Sequence, residues 1–93
     1  MRTIERSSTF KRDFKREARG KHRNVLDGDL RAILGALAND QSLAAKFRDH
    51  DLGGNWAGYR ECHIKPDLLL IYQKPNDNTL KLARLGSHSE LFG

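Results

Sequence analysis

A short apolar run in the C-terminal half sets the narrowest limits on the fold. Residues 68–72 read Leu-Leu-Leu-Ile-Tyr, whereas a strand with one face in solvent alternates apolar and polar side chains. An unbroken run of this kind is typical of a strand that is buried on both faces. We therefore predict that residues 68–73 form the central strand of a small sheet.

Two further strand candidates flank this run, at residues 59–64 and 79–85. The connections contain Lys65-Pro66-Asp67 on one side and Pro75-Asn76-Asp77-Asn78 on the other, which are turn-forming sequences. Short connections join antiparallel strands. The three segments are thus predicted to form an antiparallel meander, and residues 2–6 a separate first strand.

Two amphipathic helices are predicted between the first strand and the meander. In residues 8–19 the apolar residues Phe10, Phe14 and Ala18 recur every four positions. The second helix begins near Asn24 and carries the clearest apolar stripe in the chain, namely Leu26, Leu30, Ile33, Leu34 and Leu37.

The predicted fold class is α+β, because helices and strands are segregated along the chain. A chain of 93 residues supports only one core. We expect a single domain over residues 1–93 in the order β-α-α-β-β-β, with two N-terminal helices packed on one face of a small antiparallel sheet and the other face left available. Residues 49–58 are rich in glycine and are expected to be irregular. Leu91 and Phe92 are expected to fold back onto the sheet.

Positive charge is concentrated at the N-terminal end of the chain. The formal net charge is +5, and residues 1–23 hold nine Lys or Arg against three Asp or Glu. This asymmetry is typical of contact with an anionic partner, most often a nucleic acid. A solvated helix face is the alternative interpretation. The basic face of the first helix consists of Lys11, Arg12, Lys15, Arg16 and Arg19.

Several classes of protein are excluded by what the sequence lacks. The one cysteine, Cys62, excludes an intrachain disulfide framework. No apolar run has the length of a membrane span or of a signal peptide. The close pairs of His or Cys that hold zinc or iron are missing, so we expect no metal and no cofactor. The chain is expected to be soluble and cytoplasmic, with no membrane contact.

Three histidines in the C-terminal half are candidates for acid–base chemistry. His63 shares a strand face with Glu61, because side chains alternate along a strand, and His50 and His88 lie on segments that meet the same sheet. Metal-free RNA cleavage needs a base for the 2′-hydroxyl, an acid for the leaving oxygen and a cation for the phosphorane. Histidine suits both proton transfers at neutral pH. Candidate cations are Arg84, Lys65 and Arg60, and candidate base-stacking aromatics are Trp56, Tyr59 and Phe92, although packing is the usual role of such aromatics.

Two segments resemble the YafQ branch of the RelE toxins. Residues 49–72 read DHDLGGNWAGYRECHIKPDLLLIY, and residues 84–92 read RLGSHSELF. The family pattern is approximately D-H-x-L-x-G-x-W-x-G-Y-R-x-x-H-[VI]-x-P-D-[WL]-[LI]-L-I-Y, followed by R-x-G-[ST]-H-x-x-L-F. The resemblance covers almost half of the chain and has no departure at these positions.

This resemblance implies a RelE-like fold and a toxin of a type II toxin–antitoxin pair. Such a toxin is an endoribonuclease that cleaves messenger RNA in the ribosomal A site, so the implied partners are a DinJ- or RelB-like antitoxin and a ribosome carrying mRNA and rRNA. The implied catalytic residues are His50, His63, Asp67 and His88, and Phe92 would help to place the message. We expect His88 to be the general acid, Asp67 or His50 to be the base, and His63 to stabilise phosphate charge. Exchange of the roles of His50 and His63 is an equally simple assignment.

Two other functions remain open at this point. A ParE-like toxin would act on a protein such as DNA gyrase without catalysis, and a plain RNA-binding module would use only the basic helix. Neither function needs three histidines and Asp67, whereas acid–base cleavage does. The basic face itself suits either ribosomal RNA or the acidic surface of an antitoxin.

Overall fold

The computed structural model describes all residues from Met1 to Gly93. Its elements are β1 (Thr3–Arg6), α1 (Ser8–Ala18), α2 (residues 23–38), β2 (His50–Asp51), β3 (Arg60–Lys65), β4 (Leu68–Asn76), β5 (Thr79–Gly86) and α3 (His88–Phe92). The helix α2 is continuous but changes pitch, with α-helical ends at Arg23–Val25 and Arg31–Ala38 and a π-helical turn at Leu26–Leu30. Two short 3-10 turns lie at Ala45–Phe47 and Gly54–Trp56. None of the helices combines the length and the apolar character that crossing a bilayer requires.

The five strands form one mixed sheet in the order β1-β5-β4-β3-β2. The meander β3-β4-β5 is antiparallel as predicted, but β1 runs parallel to β5, so the prediction of an entirely antiparallel sheet is wrong. Parallel neighbours need a long crossover, which the two helices and the meander provide. The strand β2 was not predicted and extends the other edge of the sheet by pairing with β3.

The central strand β4 is buried on both faces, as its apolar run predicts. Leu68, Leu70 and Tyr72 belong to the larger core cluster beneath α1 and α2, whereas Leu69 and Ile71 belong to a smaller cluster on the opposite face. That second face is only partly available, because α3 and the loop before β3 contribute Leu91, Leu52, Trp56 and Tyr59 to the smaller cluster.

The helix α1 is rotated relative to its apolar pattern. Phe10 is buried as predicted, but Phe14 is 37% exposed, and Asp13 and Glu17 are buried in place of Phe14 and Ala18. The cause is the outer edge of β5, which continues past the end of β1 and there lacks a strand partner. Asp13 accepts a hydrogen bond from the Leu85 N–H at 3.0 Å, and Arg16 donates one to the Leu85 carbonyl at 2.8 Å. Side chains of α1 therefore replace the missing strand.

The C-terminal residues form a helical turn that the sequence did not predict. The turn is closed by a capping box, in which the Ser87 hydroxyl accepts from the Glu90 N–H and the Glu90 carboxylate accepts from the Ser87 N–H. Leu91 is buried against the sheet as expected, whereas Phe92 is 36% exposed. The helix α3 thus holds its two ends, His88 and Phe92, at the surface beside the second sheet face.

Candidate active site

Two histidines and a carboxylate meet on the sheet face opposite α1 and α2. His50 of β2 pairs in register with Glu61 of β3, and His63 lies two residues further along β3. The Glu61 Oε1 atom lies 2.9 Å from His63 Nε2 and 4.0 Å from His50 Nε2. Glu61 is only 5% exposed. A carboxylate is rarely buried without a partner, and here the partner is His63. We call this group the histidine–glutamate cluster.

The orientation of His50 is fixed by the backbone. Its Nδ1 atom lies 2.6 Å from the carbonyl oxygen of Arg48. A carbonyl can only accept a hydrogen bond, so Nδ1 carries the proton and donates. In the neutral imidazole the other nitrogen, Nε2, is then unprotonated. Because half of the His50 side chain is exposed, this nitrogen is able to take a proton from a bound substrate.

Arg60 holds the two aspartates that flank His50. Its guanidinium contacts Asp49 at 3.1 Å and also binds Asp51, while the Tyr72 hydroxyl donates to Asp49. Burial and the hydrogen bond to Asp49 raise the pKa of Tyr72, so its hydroxyl remains a donor. Arg60 was predicted as a cation for the substrate, and the structure places it in this clamp around His50.

Asp67 lies apart from the histidine–glutamate cluster. It sits in the turn between β3 and β4, where its carboxylate is 2.6 Å from Lys21 Nζ and 3.3 Å from His22 Nε2, the second contact lacking hydrogen-bond geometry. The hydrogen bond from Lys21 lowers the pKa of Asp67. No hydrogen bond or ion pair joins Asp67 to His50, His63 or His88.

His88 begins α3, just beyond the end of β5, and that end is level with His63 in the sheet. Leu69 of β4 pairs with His63 on one side and with Gly86 on the other. Adjacent strands are about 4.8 Å apart, so the backbones of His63 and Gly86 are separated by roughly 10 Å. His88 follows Gly86 by two residues, and its ring lies 4.9 Å from the ring of Phe92. His88, predicted to be catalytic, and Phe92, predicted to help place the message, are therefore in contact.

The predicted cations differ in whether they already form an ion pair with a carboxylate. Arg84 is 2.8 Å from Asp13, Lys65 is 2.7 Å from Asp29, and Arg60 belongs to the clamp. Of the basic face of α1, Arg16 is bound to Asp13, Glu17 and Glu90. The remaining members are exposed and have no ion pair, namely Lys11, Arg12, Lys15 and Arg19.

Trp56 and Tyr59 pack against each other edge to face, with ring centroids 5.2 Å apart. Both support the smaller apolar cluster.

No group of three or more His, Cys, Asp or Glu side chains has the arrangement of a metal site.

Glu61 and Arg48 are the functional candidates that sequence reasoning missed. The two-residue period placed Glu61 beside His63, which is the signal that could have identified it. The pairing of β2 with β3 places His50 opposite Glu61 and helps to bury the carboxylate. The sequence alone does not predict this pairing. Nothing in the sequence marks the carbonyl of Arg48 as the partner of His50.

Comparison with known proteins identifies the class to which this fold and site belong. The chain superposes on the crystal structure of YafQ from Escherichia coli BL21(DE3) with a TM-score of 0.84, at 35% identity and complete coverage of both chains. It also superposes on YafQ in the crystal structure of the E. coli DinJ–YafQ complex, with a TM-score of 0.83 at 38% identity and complete coverage of both chains. The mixed sheet with helices on one face is thus the fold of the YafQ structures.

The family follows from the sequence itself. The model of YafQ, described as a bacterial toxin of type II toxin–antitoxin systems, matches residues 2–93. The mRNA interferase toxin YafQ of E. coli K12 is 39% identical over 93 residues, which cover 99% of this chain and 97% of that protein. This chain belongs to the YafQ toxin family.

Proposed function

We propose that this protein is an mRNA interferase, an endoribonuclease that cleaves messenger RNA in the ribosomal A site and so inhibits translation. The observation that carries the proposal is the fixed orientation of His50, whose Nε2 atom is left free by the hydrogen bond of Nδ1 to Arg48. A second exposed imidazole, His88, follows two residues after Gly86, which is level with His63 in the sheet, and it would supply the acid that cleavage also requires.

The reaction proceeds by attack of the ribose 2′-oxygen on the neighbouring phosphorus. His50 Nε2 takes the proton of the 2′-hydroxyl, and a new P–O bond forms as the bond from phosphorus to the 5′-oxygen breaks. His88 protonates that 5′-oxygen as it leaves. The products are a 2′,3′-cyclic phosphate and a 5′-hydroxyl, with no redox change and no cofactor.

His63 and Glu61 support the charge changes of this reaction. A carboxylate accepts from the His63 Nε2–H, so the imidazole is held in one orientation and its second nitrogen faces away from Glu61. The negative charge of Glu61 also stabilises the imidazolium that His50 becomes. In its protonated form His63 donates its second N–H to the phosphate while the Glu61 carboxylate balances the positive charge, so His63 is assigned to the phosphate.

Asp67 is a weaker candidate for the base than His50. Its pKa is lowered by the hydrogen bond from Lys21, and a base whose pKa lies far below the working pH transfers protons poorly. We assign Asp67 to the placement of the turn between β3 and β4, through its ion pair with Lys21.

The partners follow from the same proposal. A DinJ- or RelB-like antitoxin would neutralise the toxin, by analogy with the DinJ–YafQ complex, and the ribosome would present the message. The site of action would be the cytoplasm, and the unit of function would be a single domain over residues 1–93.

The test compares the wild-type chain with His50→Ala and His88→Ala in a reconstituted translation system, with cuts mapped by primer extension. We expect cuts within A-site codons and at least a hundredfold slower cleavage by each variant, as is typical of losing a general base or acid. Addition of EDTA after ribosome assembly should have little effect.

Ser89→Ala is the matched control, because Ser89 is the next exposed residue of α3. It should cleave at the wild-type rate. Intact messages in the presence of wild-type toxin, together with growth arrest on expression, would refute the proposal in favour of a ParE-like inhibitor.

A further inference from the structure

A basic pocket opens beside the histidine–glutamate cluster and shares His63 with it. Its volume is about 420 Å³, and it lies where the 3-10 turn at Ala45–Phe47 meets the end of β3 and the π-helical turn of α2. Pockets of this size accommodate small ligands or single nucleotide units. The residues that define it are Lys46, Phe47, Arg48, His63, Lys65 and Asp29.

The pocket has an excess of positive charge. Asp29 and Lys65 neutralise each other at 2.7 Å, whereas Lys46 and Arg48 are exposed and have no ion pair. Two uncompensated cations that line one concave surface attract an anion from solution.

An aromatic side chain accompanies the two cations. Phe47 lines the pocket and packs its inner part on the core, and the Lys46 Nζ atom lies 5.1 Å from the centre of its ring. Cations that follow a backbone, combined with an aromatic surface, are the usual means of binding single-stranded nucleic acid.

Arg48 links the pocket directly to His50. Its backbone is in the left-handed region, with φ of 49°, a conformation that costs a non-glycine residue free energy. In this conformation its carbonyl accepts from His50 Nδ1, while its side chain lines the pocket. His63 also lines the pocket, and its ring centroid is 6.3 Å from that of His50, so an anion bound in the pocket would lie next to the histidine–glutamate cluster.

We propose that Lys46 and Arg48 bind a phosphodiester of the RNA strand next to the bond that is cleaved. This inference rests on the proposed function and adds to it a subsite for the RNA backbone. Because phosphate contacts carry no base information, the subsite holds the strand in register without setting codon preference.

The test measures binding of a five-nucleotide RNA in which every ribose is 2′-O-methylated, so that no 2′-hydroxyl is available for attack. Fluorescence anisotropy gives the Kd for wild type, for Lys46→Gln/Arg48→Gln and for Arg48→Gly, at 50 to 200 mM salt. Glycine tolerates positive φ and retains the backbone carbonyl that accepts from His50. The Arg48→Gly variant therefore removes only the contribution of the side chain.

We expect the double variant to bind about tenfold more weakly at 50 mM salt. The slope of log K against log salt should fall by about 0.7, because the subsite neutralises one phosphate and each neutralised phosphate on a single strand contributes about 0.7. The matched control is Arg23→Gln/Arg31→Gln, which removes two exposed and unpaired cations of α2 and should change the Kd less than twofold.

Equal weakening in the two double variants, or unchanged binding in Lys46→Gln/Arg48→Gln, would overturn the subsite. Absence of measurable binding by the wild type would overturn it as well. The same preparations are assayed for message cleavage, so that failure of the wild type to cleave counts against the proposed function, whereas cleavage without a binding difference counts against the subsite alone. Thermal unfolding confirms that each variant is folded.

Discussion

Glu61 is the residue whose removal should most clearly separate chemistry from folding. Glu61→Gln keeps the shape and the hydrogen-bonding oxygen but removes the charge beside His63 and His50. Since a hydrogen bond to a charged group contributes about 1.5–3 kcal/mol, we expect kcat for message cleavage to fall about tenfold to a hundredfold while KM is retained. The pH–rate profile should also change shape, because the histidines lose a charged neighbour.

The control for Glu61 is Glu5→Gln, which makes the same chemical change at an exposed position of β1 without an ion pair. It should leave kcat unaltered. A Glu61→Gln protein that is folded and fully active, with an unchanged pH profile, would mean that the carboxylate only fills space.

Asp13 should make the stability of the fold sensitive to acid. Burial opposes its ionisation, but hydrogen bonds from Arg84 and from the Leu85 N–H outweigh this effect and lower the pKa of Asp13 below its usual value of 3.8. The ionised carboxylate therefore stabilises the fold above about pH 4, and this contribution is lost as the pH falls through the folded-state pKa.

We expect Asp13→Asn to be less stable than wild type by about 1–3 kcal/mol at pH 7, since it removes a charge-assisted hydrogen bond. The difference should shrink towards pH 2, because protonation of the wild-type carboxylate removes its charge-assisted hydrogen bonds. Thermal unfolding at both pH values checks this expectation, and a difference that is independent of pH would contradict it.

The sequence predicted the identities of the candidate histidines better than their surroundings. His50, His63, His88 and Phe92 are single positions in two contiguous motifs, so a resemblance can locate them. Their partners lie far along the chain, as for Asp67 with Lys21, and only the packed structure determines these contacts. The catalytic roles of His50, His63, Asp67 and His88, and the substrate role of Arg84, remain predictions.

At the scale of elements, α3 depends on its cap. A helix of five residues is not stable by itself, so the capping box and the burial of Leu91 must hold it in place. Ser87→Ala removes the hydroxyl that accepts from the Glu90 N–H, at a cost of about 1 kcal/mol. We expect faster hydrogen exchange at the Leu91 and Gly93 amides, which bond to Ser87 and Ser89, and severalfold slower cleavage because His88 is held less firmly.

Ser8→Ala is the matched control for this change, because Ser8 begins α1 but is not its cap, a position held by Ser7. Its exchange and cleavage rates should equal those of the wild type. Unchanged exchange at Leu91 in Ser87→Ala would show that packing alone maintains α3.

The elements with strong apolar periodicity were predictable from the sequence. Those whose position depends on contacts with an edge of the sheet were not. The stripe of α2 and the run of β4 determine burial by themselves, and the structure confirms both. The helix α1 is different, because the unpaired edge of β5 draws Asp13 and Arg16 towards Leu85 and turns Phe14 outward. Likewise, β2 has only two residues and forms because β3 offers it a partner.

For the whole molecule, the net charge of +5 should make ribosome engagement depend on salt. Lys11 and Lys15 are four residues apart, and therefore on one side of α1, and neither has an ion pair. If they contact ribosomal RNA, Lys11→Gln/Lys15→Gln should raise the KM for ribosome-bound message without changing kcat. The salt slope should fall by about 1.4–1.8, at 0.7–0.9 per contact.

The control is again Arg23→Gln/Arg31→Gln, which has the same net charge as Lys11→Gln/Lys15→Gln. If the basic face serves the antitoxin instead, Lys11→Gln/Lys15→Gln will weaken toxin–antitoxin binding and leave the KM for ribosomes as in the wild type.

The way in which α1 completes the edge of β5 also bears on aggregation. Open strand edges allow one molecule to add to another and to grow into fibres. Here the projecting part of β5 already has its N–H and carbonyl bound by charged side chains, β1 presents Glu5 and Arg6, and β2 is too short to template a neighbour. A molecule that added at β5 would have to displace Asp13 and Arg16 rather than water. The protein should therefore remain dispersed at concentrations at which a bare sheet of this size would polymerise.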